Sequence, residues 1–198
     1  MLRSVSEELL DTYEEERLPI AAWLLGVTTK LHQQGFRGNG SESRDPETLQ
    51  LLLNYRCSSL AREERDRPGS IRAGDRAPDA PCLDGAGAGV RLFDLFRGPH
   101  FTLLAFGAAH ADTITRVNVR YDPLIHAYVV VRPGEKDGDH AIVDYGGHAR
   151  TGYDIADDAL VLIRPDGYIG LFACPGALDE LVEYLQLKYA QAIRAVPL

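Results

Sequence analysis

The sequence predicts an α/β protein, a thick mixed sheet with flanking helices, preceded by a helical N-terminal segment. Three observations lead there. From residue 82 onward, continuous apolar runs of strand length alternate with helix-like stretches, as in a sheet buried on both faces. Asp166-Gly167 separates "ALVLIRP" from "YIGLFA", the strongest hairpin signal in the chain. The first 60 residues carry helical periodicity and no strand pattern.

Glu7 to about Gln34 reads as a helix, because Ile20, Trp23, Leu24, Val27 and Leu31 recur at helical spacing and form one apolar face. Pro19 interrupts that pattern and predicts a break or kink near Arg17–Leu18. "GFRGNGSESR" is a loop. Asp45-Pro46-Glu47 then supplies an N-cap, a proline at the first helical position and an acid in the first turn. The second helix so started carries Leu49, Leu52 and Leu53 and fades around Leu60. From Ala61 to Pro81 the chain is charged, punctuated by Pro and Gly and without apolar period, which predicts an extended connector. The expected organisation is a helical segment over 1–60, a connector over 61–81 and an α/β domain over 82–198.

Within that domain "VRLFDLF" (Val90–Phe96) is a short strand or a helical turn. "HFTLLAFG" suits a central strand, and Asp112 to Leu124 a helix. "IHAYVVV" (Ile125–Val131) is a second buried strand, the hairpin follows, and Ala177 to Ala195 closes the chain as a helix. The order β, α, β, irregular, β-hairpin, α is that of a thioredoxin-like domain. Its central strands are expected parallel, with the terminal hairpin adding an antiparallel edge.

Composition narrows the function. A net charge of −8 disfavours nucleic acid as a partner, since nothing in the chain compensates a phosphate backbone. No apolar run reaches membrane-spanning length, and "MLRSVSEELLDTYEEER" lacks the apolar core of a signal peptide. Cys57, Cys82 and Cys174 are far apart, with no CxxC or CxxH spacing, so three free thiols in a reducing cytoplasm are expected.

The thioredoxin-like order puts "FGAAHAD" where that fold carries its redox cysteines. A redox nucleophile needs a thiolate held at the following helix N-terminus. Ala108 and Ala109 supply none, and His110 reads as an exposed loop histidine. Neither Cys82, before the first core strand, nor Cys174, at the end of the hairpin, reaches that loop, so no peroxidase or disulfide turnover is expected. "DGAGAGV" (Asp84–Val90) has GxGxG spacing and leads into a strand, so it reads as a turn and not as a dinucleotide loop. His140 and His148 flank Asp144 and Gly146-Gly147 without the regular spacing of a zinc site. Asp157-Asp158 read as solvated carboxylates. No catalytic, cofactor-binding or metal-binding residue is expected.

Several segments together resemble a known family. "LLDTYEEERLPIA" is similar to the stretch ending the flavin domain of class A FAD-dependent aromatic hydroxylases. "RAGDRAPDAP", "RLFDLFRGPHFTLLAFG" and "LVLIRPDGYIG" resemble the thioredoxin-like C-terminal domain that many of them carry, among them the phenol hydroxylases and aromatic-polyketide hydroxylases. The resemblance implies membership of an FAD monooxygenase lineage. In that family FAD is held by an N-terminal GxGxxG unit and a later Gly-Asp segment, and neither is found in these 198 residues. The expectation is therefore a non-catalytic module with no cofactor of its own, or one component of a split monooxygenase working with a flavin-domain polypeptide. Tyr13, Glu16 and Arg17, with Ile20, Trp23, Leu24 and Val27, are then interface residues. A homodimer through the apolar stripe is the expected assembly of the chain alone.

Overall fold

The computed structural model describes residues 7–35, 53–135, 138, 140–174 and 180–185, with side chains between 7 and 35 described for 11–26 and 29. At its centre lies β4 (Phe101–Phe106), buried at every position. A strand apolar on both sides must be covered on both sides. Its neighbours in the sheet are β5 (Ile125–Val131), parallel to it, and β7 (Ala159–Ile163), antiparallel. β7 returns through Asp166-Gly167 to β8 (Ile169–Ala173), with Gly167 at φ 83°, a conformation that favours glycine. This core of β8-β7-β4-β5 is the expected thioredoxin-like arrangement. Four short strands extend it: β1 (Arg62–Glu63), β2 (Pro81–Asp84), β3 (Gly89–Arg91) and β6 (Ala141–Val143), giving the order β1-β8-β7-β4-β5-β6-β2-β3.

The period of two along the strands sorts the core into two layers. Leu103, Ala105, Ala127, Val129, Leu160 and Leu162 face Ile114, Val117 and Tyr121 of α3 (Ala111–Tyr121), together with Leu181, Tyr184 and Leu185. Leu104, Phe106, Val130, Val161, Ile163 and Phe172 face the other way. They meet Leu92 of α2 (Leu92–Leu95), Ala149 of α4 (His148–Gly152), Tyr153, and Ala73, Ala77 and Ala80. Each large side chain so buried contributes about 1.5–3 kcal/mol.

Several expectations change. α1 (Glu7–Gly35) is one helix that runs through Pro19 without a break. Pro19 lies on the exposed side, where water can satisfy the carbonyl that the ring deprives of its donor. Residues 53–60, expected as the end of a second helix, form turns instead, with Tyr55 and Leu60 buried and the Tyr55 N–H donated to the Gly74 carbonyl at 2.7 Å. The start of that helix at Asp45-Pro46-Glu47 lies outside the described residues, as does most of the closing helix, of which 180–185 is described and helical.

The segment 61–81, expected as an extended connector, packs closely. β1 pairs in parallel with β8, Gly74 N–H donates to Ile169 O at 2.7 Å, and Arg76 bridges Tyr168. β8 is therefore not the edge of the sheet. A strand buried along its whole length, as β8 is, makes a poor edge, and β1 covers it. "VRLFDLF" resolves into both alternatives, with β3 leading into the single turn of α2.

Candidate functional site

Two places gather the residues of interest. The first is the loop after β4. Gly107 takes φ 120°, a short 3-10 turn covers Ala108–His110, and α3 starts at Ala111. Ala108, Ala109 and Ala111, which lead into and open α3, carry no sulfur. His110 is buried, contrary to the exposed position expected, and its Nε2 lies 3.9 Å from the Asp158 carboxylate. Asp158, read as a solvated carboxylate, is half-buried here against Gly107, where a Cβ would come within 2.3 Å of its Oδ1. The missing side chain at Gly107 is what lets Asp158 and His110 approach.

Of the thiols, Cys82 sits buried in β2, and burial, reinforced by Asp144 and Asp79, pushes it up to about 12. Such a thiol stays protonated and unreactive at neutral pH. Cys57 and Cys174 are exposed. Asp144 is buried and accepts the backbone N–H groups of Ala149 and Arg150 at 3.1 and 3.0 Å, capping α4, whereas His148 is exposed. The glycine-rich Asp84–Val90 is the turn between antiparallel β2 and β3, held by the Asp84 carboxylate accepting from Ala86 and Ala88 N–H at 2.9 and 2.8 Å. It leads into β3, and the α2 that follows is a single turn of helix beyond that strand, so this segment does not fit a dinucleotide phosphate. Among the described residues no helix is long and apolar enough to cross a membrane.

The second place is where α1 meets the domain. Glu16, in the middle of α1, receives two bonds from the Arg164 guanidinium, at 2.5 and 2.9 Å, and a third from the Ser58 hydroxyl at 2.7 Å. Arg164 follows β7 just before the hairpin turn and also donates to Asp166, at 3.2 and 2.5 Å. The Glu16 and Arg164 side chains are only 8 % and 6 % exposed. Burial alone would raise the Glu16 pKa, but the bonds from Arg164 and Ser58, with the charges of Arg164 and Arg17, outweigh it and hold the carboxyl below its ordinary value. Burial works against the charge on Arg164, and Glu16 with Asp166 more than restores it.

Around this pair, Glu15 accepts from Ser59 N–H and Oγ at 2.8 and 2.7 Å. Arg17 lies over the Tyr13 and Tyr55 rings, 5.4 and 6.0 Å from their centroids, and Tyr55 meets Tyr168 edge-on at 4.5 Å. Of the residues expected at an interface, Glu16 is thus engaged within its own chain, while Tyr13 and Arg17 stay exposed beside it. Ile20 and Trp23 are half-buried, and Leu24 is exposed, as are Leu18 at 60 % and Leu25 at 69 %. The Val27 side chain lies outside the described residues. Ser58 and Arg164 were not legible as partners, because they stand 42 and 148 residues from Glu16.

Comparison with known proteins places this geometry. The profile of the HcaD C-terminal domain matches residues 81–188. A flavin-dependent monooxygenase of Mycobacteroides abscessus is 42% identical over 179 residues, 90% of this chain and 30% of that protein. Pentachlorophenol 4-monooxygenase of Sphingobium chlorophenolicum is 32% identical over 198 residues, covering 89% of this chain and 36% of its own length. The crystal structure of aklavinone-11 hydroxylase, in a ternary complex with FAD and aklavinone, superposes with a TM-score of 0.65 at 27% identity, over 90% of this chain and 34% of that one. The chain spans about a third of the length of each of these relatives. Its fold, its α1 segment and its sequence correspond to the C-terminal part of flavin-dependent monooxygenases, and the chain belongs to the HcaD C-terminal domain family.

Proposed function

We propose that this chain is the C-terminal, thioredoxin-like module of an FAD-dependent aromatic-ring hydroxylase, and that its own contribution is structural. One observation carries the reading. A buried, bidentate ion pair fixes α1 to the domain through Glu16 and Arg164, while Leu18 and Leu25 on the same helix remain exposed. A helix held on one side and apolar on the other is suited to receive a flavin-domain polypeptide. The residues at the start of α3 support no thiol chemistry, and the glycine-rich turn supports no dinucleotide binding. In this reading the chain works in the cytoplasm, where its cysteines stay reduced.

The test is purification of the full chain followed by absorbance spectroscopy. No flavin bands are expected, and a stoichiometric yellow preparation would contradict a module without its own cofactor. The exposed face of α1 also favours a second reading, in which chain and flavin-domain polypeptide together hydroxylate an aromatic, polyketide-like substrate. Hydroxylation that appears only on mixing the two would establish it. Without that partner the same face pairs two copies about a two-fold axis, which light scattering at micromolar concentration reads directly. A monomer unchanged in mass by Leu25→Glu would rule out the pairing.

A further inference from the structure

Arg150, in α4, is 7% exposed, and its guanidinium makes one hydrogen bond, from Nη1 to the Asp157 carbonyl at 3.0 Å. Its Nε and Nη2 are buried with no hydrogen-bond partner among the described residues. Of the described carboxylates that act on it electrostatically, Asp144 and Glu135 are hydrogen-bonded elsewhere. Asp144 accepts the backbone N–H groups that open α4. Glu135 accepts the Arg132 N–H at 2.8 Å and the Arg132 guanidinium at 3.4 Å. Asp158 lies against Gly107 and His110. A second guanidinium, that of Arg132, adds like charge from nearby, and His110 contributes a further buried nitrogen, Nε2, without a partner. A buried cation in this condition is costly unless an anion meets it.

The edge left open has a particular chemistry. Nε and Nη2 form the parallel two-donor fork that matches the two oxygens of a carboxylate. The chain uses this same edge elsewhere: Arg56 clasps Asp75 with Nε and Nη2 at 2.7 Å each, and Arg65 clasps Glu63 at 2.6 and 3.0 Å. We propose that Arg150 is the receptor of a small carboxylate ligand, bound side-on through Nε and Nη2 at the end of the domain where β4 runs into α3, with Arg132 adding to the attraction. The charged neighbours Arg132 and Glu135 are partly exposed, so the guanidinium lies close to the surface although its own edge is covered. Nothing in the proposed structural role of the chain requires this site.

Acetate is the probe. The Arg150 Nε–H resonance of the full chain, assigned by its disappearance in Arg150→Lys, is followed as sodium acetate replaces sodium chloride at constant ionic strength. A saturable shift of that one resonance is expected. Arg150→Lys keeps the charge and lacks the fork, so the thermal stabilisation that acetate gives the wild type should fall at least tenfold in apparent affinity. If this variant fails to fold, the resonance is assigned instead by through-bond correlation to the Arg150 backbone amide, and the wild-type titration decides. No saturable shift up to 100 mM acetate (roughly the weakest binding such a single fork supports), or a shift given by phosphate and not by acetate, would overturn the proposal. So would an Nε–H resonance moved by Asp158→Asn and not by acetate, since Asp158 would then be the carboxylate that fills the fork.

Discussion

Replacing Glu16 by Gln keeps the shape of the side chain and removes its charge from the contact between α1 and the domain. Breaking one partner of a buried ion pair costs about 3–5 kcal/mol, because the remaining charge is stranded. Here Arg164 keeps a second carboxylate, Asp166, whose side chain is 42% exposed and therefore screened, which lowers the expectation to about 2–3 kcal/mol. Arg164→Met removes the guanidinium bonded to Glu16 and leaves that carboxylate with Ser58, so the upper figure, about 3–5 kcal/mol, applies. In a chain of this length each kcal/mol moves the melting temperature by about 2–4 °C.

Trp23 is the chain's single tryptophan and sits two turns along α1 from Glu16, so its emission reports whether the helix stays docked. In a urea titration its transition should move to lower concentration in both variants, ahead of the far-UV circular dichroism. The double variant should be more stable than the sum of the singles predicts, by 1 kcal/mol or more, about the coupling expected of groups in direct contact. Additivity within about 0.5 kcal/mol would mean that Glu16 and Arg164 do not stabilise one another, and the reasoning would fail. The pair also has a pH signature. The Glu16 carboxyl is held below its unfolded value, so its stabilisation is present above that value and is lost as pH falls through the folded one. Wild-type Trp23 transitions should therefore weaken below about pH 4.3, and those of Glu16→Gln should respond less.

Further outcomes follow from other positions. Ellman's reagent at pH 8 should titrate the exposed Cys57 and Cys174 in the native chain and reach Cys82 only after unfolding. Gly74→Ala should cost about 3 kcal/mol or more, since at φ 88° its Cβ would come within 2.5 Å of the Tyr55 and Arg56 backbone. Gly87→Ala, at φ 80° with nothing within 4 Å, should cost only about 1 kcal/mol, and equal effects in a thermal melt would refute the distinction.

The strands of the domain were readable because their burial is written locally. "HFTLLAFG", "IHAYVVV" and the two arms around Asp166-Gly167 each hold an unbroken apolar run within one or two residues of the strand observed. What escaped was set by distant residues. The charged stretch 61–81 has no apolar period, yet Ala73, Ala77 and Ala80 are buried because the sheet face above them needs covering, and small residues fit beneath a loop. His110 looked like a solvated loop residue because nothing near it in sequence says that Gly107 lets Asp158 close over it. Glu16 looked like one more charge in "YEEER", and Ser58 and Arg164, 42 and 148 residues on, distinguish it from Glu14 and Glu15.

The two residues of β1 have a consequence for what counts as a unit. They are the last pairing partners along β8, and Leu171 and Phe172 would present bare backbone groups without them. A polypeptide cut at the start of the matched span, residue 81, would lose this cover along with the turn at Tyr55 that anchors Gly74. Such a piece has an open, apolar rim, inviting one copy to zip onto the next. The span that the family profile matches is thus shorter than the stretch that folds as a closed body, which reaches back at least to Tyr55.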